Sequence, residues 1–218
     1  MNKYKLISFD LDDTLIRGIH SVMFPCILNG KEKEHAAIQE KEDAGMLDYI
    51  SADYLRAELL KGLEESKIAN SFLEIANPVK GIQNVVDTLH IEDIMCIVIT
   101  VGPKQVAKAV CDIWGFDGYY GSDYEVKNGI FTGKIRDYIN AENKIKCLID
   151  FCAKNGIMPD ECIAVGDGST DVPLFEYCGK SIAINASPEI GNKATYAINT
   201  QDLSDILCYI TKGESCYK

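Results

Sequence analysis

The chain has 218 residues, enough for one compact domain that carries an insertion and for a sizeable apolar core. Apolar residues make up 47% and charged residues 25%, the balance of an ordinary globular protein. The formal charge of −11 leaves no cationic surplus to neutralise a phosphate backbone, which argues against a nucleic-acid partner.

In chain order, the first buried strand is expected at Leu6 to Phe9. From Leu15 to Pro78 no strand pattern is visible, while Leu55, Leu59, Leu60 and Leu63 recur at helical spacing, so this interval is expected to be a helical insertion. The mixed-sign stretch from Lys31 to Asp43 reads as a solvated helix face. A second strand is expected at Ile94 to Thr100, followed by a helix from Pro103 to Trp114, since proline suits a first helical turn. Asn128-Gly129 between extended runs signals a hairpin within Glu125 to Phe131. A helix is expected from the capping Asn140 to Asn155, stopping at Gly156. Strands follow at Cys162 to Val165, Ile182 to Ile184 and Tyr196 to Ile198. Helices are expected between them at Asp171 to Cys178 and after Ser187-Pro188, and beyond them from Asp202 to Thr211. Short apolar strands alternating with helices predict an α/β fold, a Rossmann-like parallel sheet covered on both faces. Residues 1–14 and 79–218 would form the core, 15–78 a helical cap above the strand ends, and the hairpin a small addition.

The longest apolar run, Ile94 to Ile99, falls far short of the roughly 20 residues that span a bilayer. The segment Met1 to Asp10 has no apolar core of signal-peptide length, so a cytoplasmic protein with no membrane partner is expected. Nine cysteines, an odd number without a Cys-x-x-Cys pair, read as reduced small hydrophobes, as at Cys96 and Cys162.

Chemistry-bearing residues stand at the strand ends. Asp10-Leu11-Asp12-Asp13-Thr14 closes the first strand, where ionised carboxylates need a cation or several donors to offset desolvation. An acidic turn capping a helix is the plainer alternative. Gly166-Asp167-Gly168-Ser169-Thr170-Asp171 repeats the arrangement after another strand. If the two strands are neighbours, Asp10, Asp12, Asp167 and Asp171 converge, and all-oxygen ligation of that kind suits Mg²⁺. Thr100, at the end of its strand, offers a hydroxyl, the Gly102-Pro103 helix start offers amides, and Lys144 offers a fixed positive charge to an anion.

The order Asp-x-Asp-x-Thr, Thr, Lys, Gly-Asp-Gly-x-x-Asp resembles the four motifs of the haloacid dehalogenase superfamily of phosphatases. It narrows to the phosphoserine phosphatase-like branch, whose cap is inserted where Leu15 to Pro78 lies. Tyr54 to Leu63 and Glu142-Asn143-Lys144 look like segments of that branch as well.

The resemblance implies a Mg²⁺-dependent phosphomonoester hydrolase that works through an aspartyl-phosphate, with a part in serine biosynthesis. Asp10 would be the nucleophile and Asp12 the general acid and base. Mg²⁺ would be held by Asp10, the Asp12 carbonyl and Asp167, with Asp171 supporting it. Thr100, Val101, Lys144 and Thr170 would surround the phosphate, and Arg56 would meet a substrate carboxylate. The chain departs from the branch in three places. Ile19-His20 replaces the cap Glu that pairs with the substrate amine, Val101 stands where Gly is common, and Thr170 replaces an Asn. The expected partner is a small phosphate ester and the expected state a monomer or homodimer. A phosphatase or phosphotransferase for another small metabolite is the alternative within the superfamily. A receiver-like phospho-signalling module is the alternative outside it, disfavoured by the cap and the Gly-Asp-Gly loop.

Overall fold

The structure, a computed structural model, describes residues 3–211. Met1, Asn2 and residues 212–218 of the expected core therefore lie outside the described residues.

The first strand, β1 (Leu6–Phe9), leads into four helices, α1 (Met23–Leu28), α2 (Glu32–Asp43), α3 (Tyr49–Leu59) and α4 (Ser66–Ile75). Next come α5 (Ile82–Ile91), β2 (Met95–Pro103), α6 (Lys104–Trp114), and the hairpin strands β3 (Gly118–Lys127) and β4 (Ile130–Asp137). The chain continues with α7 (Ala141–Asn155), β5 (Cys162–Gly166), α8 (Val172–Tyr177) and β6 (Lys180–Ile184). It closes with α9 (Pro188–Gly191), β7 (Tyr196–Ile198) and α10 (Leu207–Thr211).

The strands form one sheet in the order β4-β3-β2-β1-β5-β6-β7, parallel except for the β3–β4 hairpin. The expected α/β architecture is therefore present. Alternation along the strands divides the interior between two faces. Ile7, Phe9, Cys96, Val98, Ile163 and Val165 point to one side, while Leu6, Ile97, Ile99, Cys162 and Ala164 pack on the other against Leu148, Phe151, Leu174 and Phe175. Polar signals set the helix ends: the Asn140 side chain accepts from Asn143 N at 2.9 Å to start α7, which stops at Gly156.

Four elements differ from expectation. The helix α5 was not anticipated, although Ile82, Val85, Val86 and Leu89 have the spacing of a buried face. The hairpin is no separate addition, because β3 pairs in parallel with β2 and so extends the main sheet. Its turn is as expected, with Asn128 and Gly129 both at positive φ, the geometry of a tight two-residue connection. The two anticipated helices at Asp171 and Asp202 each begin as a 3-10 turn, Ser169–Asp171 and Leu203–Ile206.

The interval 15–78 is helical, with only isolated bridges at Ile16 and Glu64. Apart from His35 and Ile38, most of α2 is open to solvent, as its mixed charge predicts. Phe24, Ala57, Leu60, Leu63 and Phe72 join the same apolar cluster as Ile7 and Phe9, so these helices share the core of the sheet. Phe72 meets Phe24 and Trp114 edge-on at 5.6 and 6.0 Å, tying α4 to α6. Among the described residues no helix is long and apolar enough to cross a membrane.

Candidate active site

Because β1 lies between β2 and β5, the segments that follow all three converge at their carboxyl ends. Residues distant in sequence meet there. Asp10 N donates to Val165 O at 2.9 Å, which locks the β1 exit to β5. One oxygen from each of Asp10, Asp167 and Asp171 lies within 4.8 Å of the others.

Lys144 enters this cluster from the first turn of α7, fully buried, with Nζ 2.5 Å from Asp10 Oδ1 and 2.8 Å from Asp171 Oδ1. Its burial sets Lys144 apart from an ordinary solvated helical lysine. A buried ammonium persists only where carboxylates offset its desolvation, and these two hold its pKa above the ordinary lysine value. The other Asp171 oxygen accepts from Asp167 N at 3.2 Å and Gly168 N at 3.1 Å, which shapes the loop after β5. That loop needs Gly166, since a Cβ there would stand 2.4 Å from the Asp171 carboxyl carbon. Thr14 Oγ1 donates to Asp167 Oδ1 at 3.2 Å.

One lysine does not balance this acidic group. Burial and the neighbouring Asp171 carboxylate push Asp10 well above the carboxylic range despite Lys144, and the same two causes raise Asp167 to about 7. Uncompensated carboxylates at one oxygen-only cluster are the donor set for a hard divalent cation, so the residues fit a metal.

Asp12 is placed differently. Its carboxylate turns from the cluster toward the helical insertion, accepting from Ser21 N at 2.5 Å and Ser21 Oγ at 2.6 Å. Burial raises its pKa, and the Ser21 hydrogen bonds oppose that rise. Ser21 is fully buried and was not anticipated from sequence. It packs so closely on the second motif that a Cβ at Gly102 would fall 2.1 Å from its hydroxyl oxygen. Thr100 is buried, and its Oγ1 accepts from Gly102 N at 3.0 Å. The Val101 carbonyl is held by Ser122 Oγ at 2.6 Å, while Thr170 is half-buried in the 3-10 turn before Asp171.

A cavity of about 670 Å³ opens between Asp12 and the helices of residues 15–78, with Val101, His20, His35, Tyr49 and Arg56 in its lining. Arg56 is no exposed helical arginine. Its guanidinium is ion-paired with Glu42 at 2.5 Å and Asp53 at 3.1 Å, and also donates to Gln39 at 2.7 Å. Its Nε is buried and has no hydrogen-bond partner among the described residues. His20 pairs with Asp13 at 3.0 Å, both about half exposed.

Comparison with known proteins places this geometry. The pattern of the haloacid dehalogenase-like hydrolases matches residues 7–176. The chain is 29% identical over 213 residues to the phosphoserine phosphatase of Polaromonas sp., covering 95% of this chain and 90% of that one. It is 29% identical over 209 residues to the phosphoserine phosphatase of Methanocaldococcus jannaschii, covering 95% and 98%. Among solved structures, one described as a phospho-aspartyl intermediate analogue of phosphoserine phosphatase superposes with a TM-score of 0.79 at 27% identity, covering 95% of this chain and 99% of that one. A substrate-bound phosphoserine phosphatase complex superposes equally, with 97% and 100% covered. Because that pattern spans residues 7–176, most of its length, the chain belongs to the haloacid dehalogenase-like hydrolase family.

Proposed function

We propose that the protein is a Mg²⁺-dependent phosphoserine phosphatase, or a close relative acting on a small carboxylated phosphate ester. The observation that carries this reading is the convergence of Asp10, Asp167, Asp171 and Lys144 on one point beside the cavity.

Asp10 is the nucleophile. Lys144 holds its Oδ1, and its Oδ2 takes no hydrogen bond among the described residues, which leaves that oxygen available for attack on phosphorus. Attack forms the Oδ2–P bond and breaks the P–O bond of the ester. The departing alkoxide takes a proton from Asp12, for which a raised carboxyl pKa is needed. Water then attacks phosphorus as Asp12 recovers a proton from it, releasing phosphate and restoring Asp10. Thr100 Oγ1 and Lys144 Nζ would hold the phosphoryl oxygens, and their part is electrostatic. Asp10, Asp167 and the Asp12 carbonyl would hold the Mg²⁺, with Asp171 behind them. When bound, the ion supplies positive charge against the phosphoryl oxygens.

Residues 15–78 act as a cap that shields this chemistry from water. Phe72 against Trp114 ties α4 of this cap to α6 of the core. Hydrogen exchange across 15–78 is expected to slow with a phosphate analogue and Mg²⁺, and unchanged exchange would refute the closure. A cytoplasmic location is consistent with the eight free cysteines among the described residues.

The head group of the substrate depends on Arg56. A carboxylate received there would use the unpartnered Nε or displace Glu42 or Asp53, which occupy the two terminal nitrogens. A panel of phosphoserine, phosphothreonine, phosphoethanolamine and sugar phosphates, assayed for phosphate release with Mg²⁺, tests the reading. Preference for phosphoserine supports it. Preference for an ester lacking the carboxylate refutes the head group, and no release from any ester refutes the activity.

A further inference from the structure

At the end of the sheet opposite Asp10, three side chains with ligand atoms of different softness face one another. His90 lies in the last turn of α5, Cys96 is the second residue of β2, and Asp117 immediately precedes β3. The parallel pairing of β2 with β3 puts the two strand starts side by side, with Asp117 N donating to Cys96 O at 2.8 Å.

His90 Nε2 is 3.0 Å from Asp117 Oδ2 and 3.7 Å from Cys96 Sγ, and all three ligand atoms lie within 4.8 Å of one another. Zinc bonds of about 2.0 Å to nitrogen or oxygen and about 2.3 Å to sulfur, arranged tetrahedrally, separate neighbouring ligand atoms by roughly 3.3 to 3.6 Å. The separations of 3.0 and 3.7 Å bracket that range, so small side-chain rotations bring the three atoms onto one ion.

The surroundings suit an ion that arrives from solvent. Cys96 is fully buried and forms the floor, whereas the side chains of His90 and Asp117 are 39% and 31% exposed and form open walls. Asp117 is already oriented, because its Oδ2 accepts from Cys96 N at 2.7 Å. Burial and the adjacent Asp117 carboxylate keep the Cys96 thiol protonated, a state that a cation at the floor would reverse. Cys111 stands nearby with its own thiol committed to Gly118 O at 3.1 Å.

We propose that His90, Cys96 and Asp117 form a metal site selective for a zinc-class ion, distinct from the aspartate cluster and structural in role. Thiolate and imidazole ligands favour zinc over magnesium, which takes oxygen donors. On binding, the Cys96 proton passes to the buffer and His90 Nε2 exchanges its contact with Asp117 for the ion. The ion ties the end of α5 to the starts of β2 and β3, and solvent fills the fourth position. Thr100 stands four positions after Cys96 on β2, about 13 Å along the strand, so this ion takes no part in phosphoryl transfer.

Cobalt(II) is the probe, added to the full-length reduced protein in excess Mg²⁺. The expected result is a near-ultraviolet thiolate-to-cobalt charge-transfer band that saturates at one cobalt per chain and is displaced by zinc. The aspartate cluster has no sulfur and cannot produce that band. It should be lost in Cys96→Ser and in His90→Ala. The second variant changes a partly exposed helix end, and its unchanged circular dichroism and phosphate release would show that the fold is kept. Absence of the band from the wild-type protein, or its survival in either variant, overturns the proposal.

Discussion

Lys144 Nζ bridges Asp10 and Asp171 at 2.5 and 2.8 Å, although 134 residues of chain separate Lys144 from Asp10. The ammonium is the cationic centre of the cluster, and its removal leaves two buried carboxylates facing each other. Lys144→Met should therefore lower unfolding stability by about 3 kcal/mol at neutral pH, the cost of breaking a buried pair from one side. Urea unfolding checks this. A loss below 1 kcal/mol would mean that water, and not Lys144, carries the compensation.

Asp167, with its pKa raised to about 7, keeps its proton longer in the fold than in the unfolded chain. Between about pH 4 and 7 the folded metal-free state binds the extra proton, so this carboxyl contributes less stability as pH rises. A divalent ion competes with that proton. The gain in melting temperature on adding Mg²⁺ should thus be larger at pH 8 than at pH 5.5, as scanning calorimetry would show. An equal gain at both values would remove Asp167 from the ligand set.

Ser21 donates twice to Asp12, and Gly102 leaves it room to do so. The hydroxyl hydrogen bond favours the ionised carboxylate, so Ser21→Ala should raise the Asp12 pKa. The pH profile of kcat should shift upward, with a decrease in kcat of about tenfold. Gly102→Ala displaces the same hydroxyl by steric contact. The two changes should accordingly be far from additive in the double variant, and additive losses would show that they act separately.

Arg56 joins α2 and α3 through Glu42, Gln39 and Asp53, and Asp53 also accepts from Tyr138 Oη at 2.7 Å. Lysine cannot reproduce that planar fork. Arg56→Lys should cost about 2 kcal/mol of stability, as well as raising KM for a carboxylated substrate. A rise in KM with unaltered stability would make Arg56 purely a substrate contact.

Much of the site was legible in sequence because its residues sit at the ends of buried apolar strands. The stretches before Asp10, Thr100 and Asp167 are continuous enough to read as strands, and the sheet order brings those ends together. The Asn128-Gly129 turn was equally plain, but the parallel partnership of β3 with β2 is a long-range pairing that local pattern does not encode. Ser21 was hidden for a related reason. It lies in an irregular segment, and only tertiary packing turns it toward Asp12. The Arg56–Glu42 ion pair likewise depends on how α2 settles against α3, which the helical spacing of either one leaves open.

The central claim is that Asp10 accepts the phosphoryl group. Rapid quenching of wild-type protein during turnover of radiolabelled phosphoserine with Mg²⁺, followed by peptide mapping, tests it most directly. Label on the peptide containing Asp10, absent from Asp10→Asn together with phosphate release, is the predicted result. Label on another residue, or undiminished release by Asp10→Asn, would contradict it.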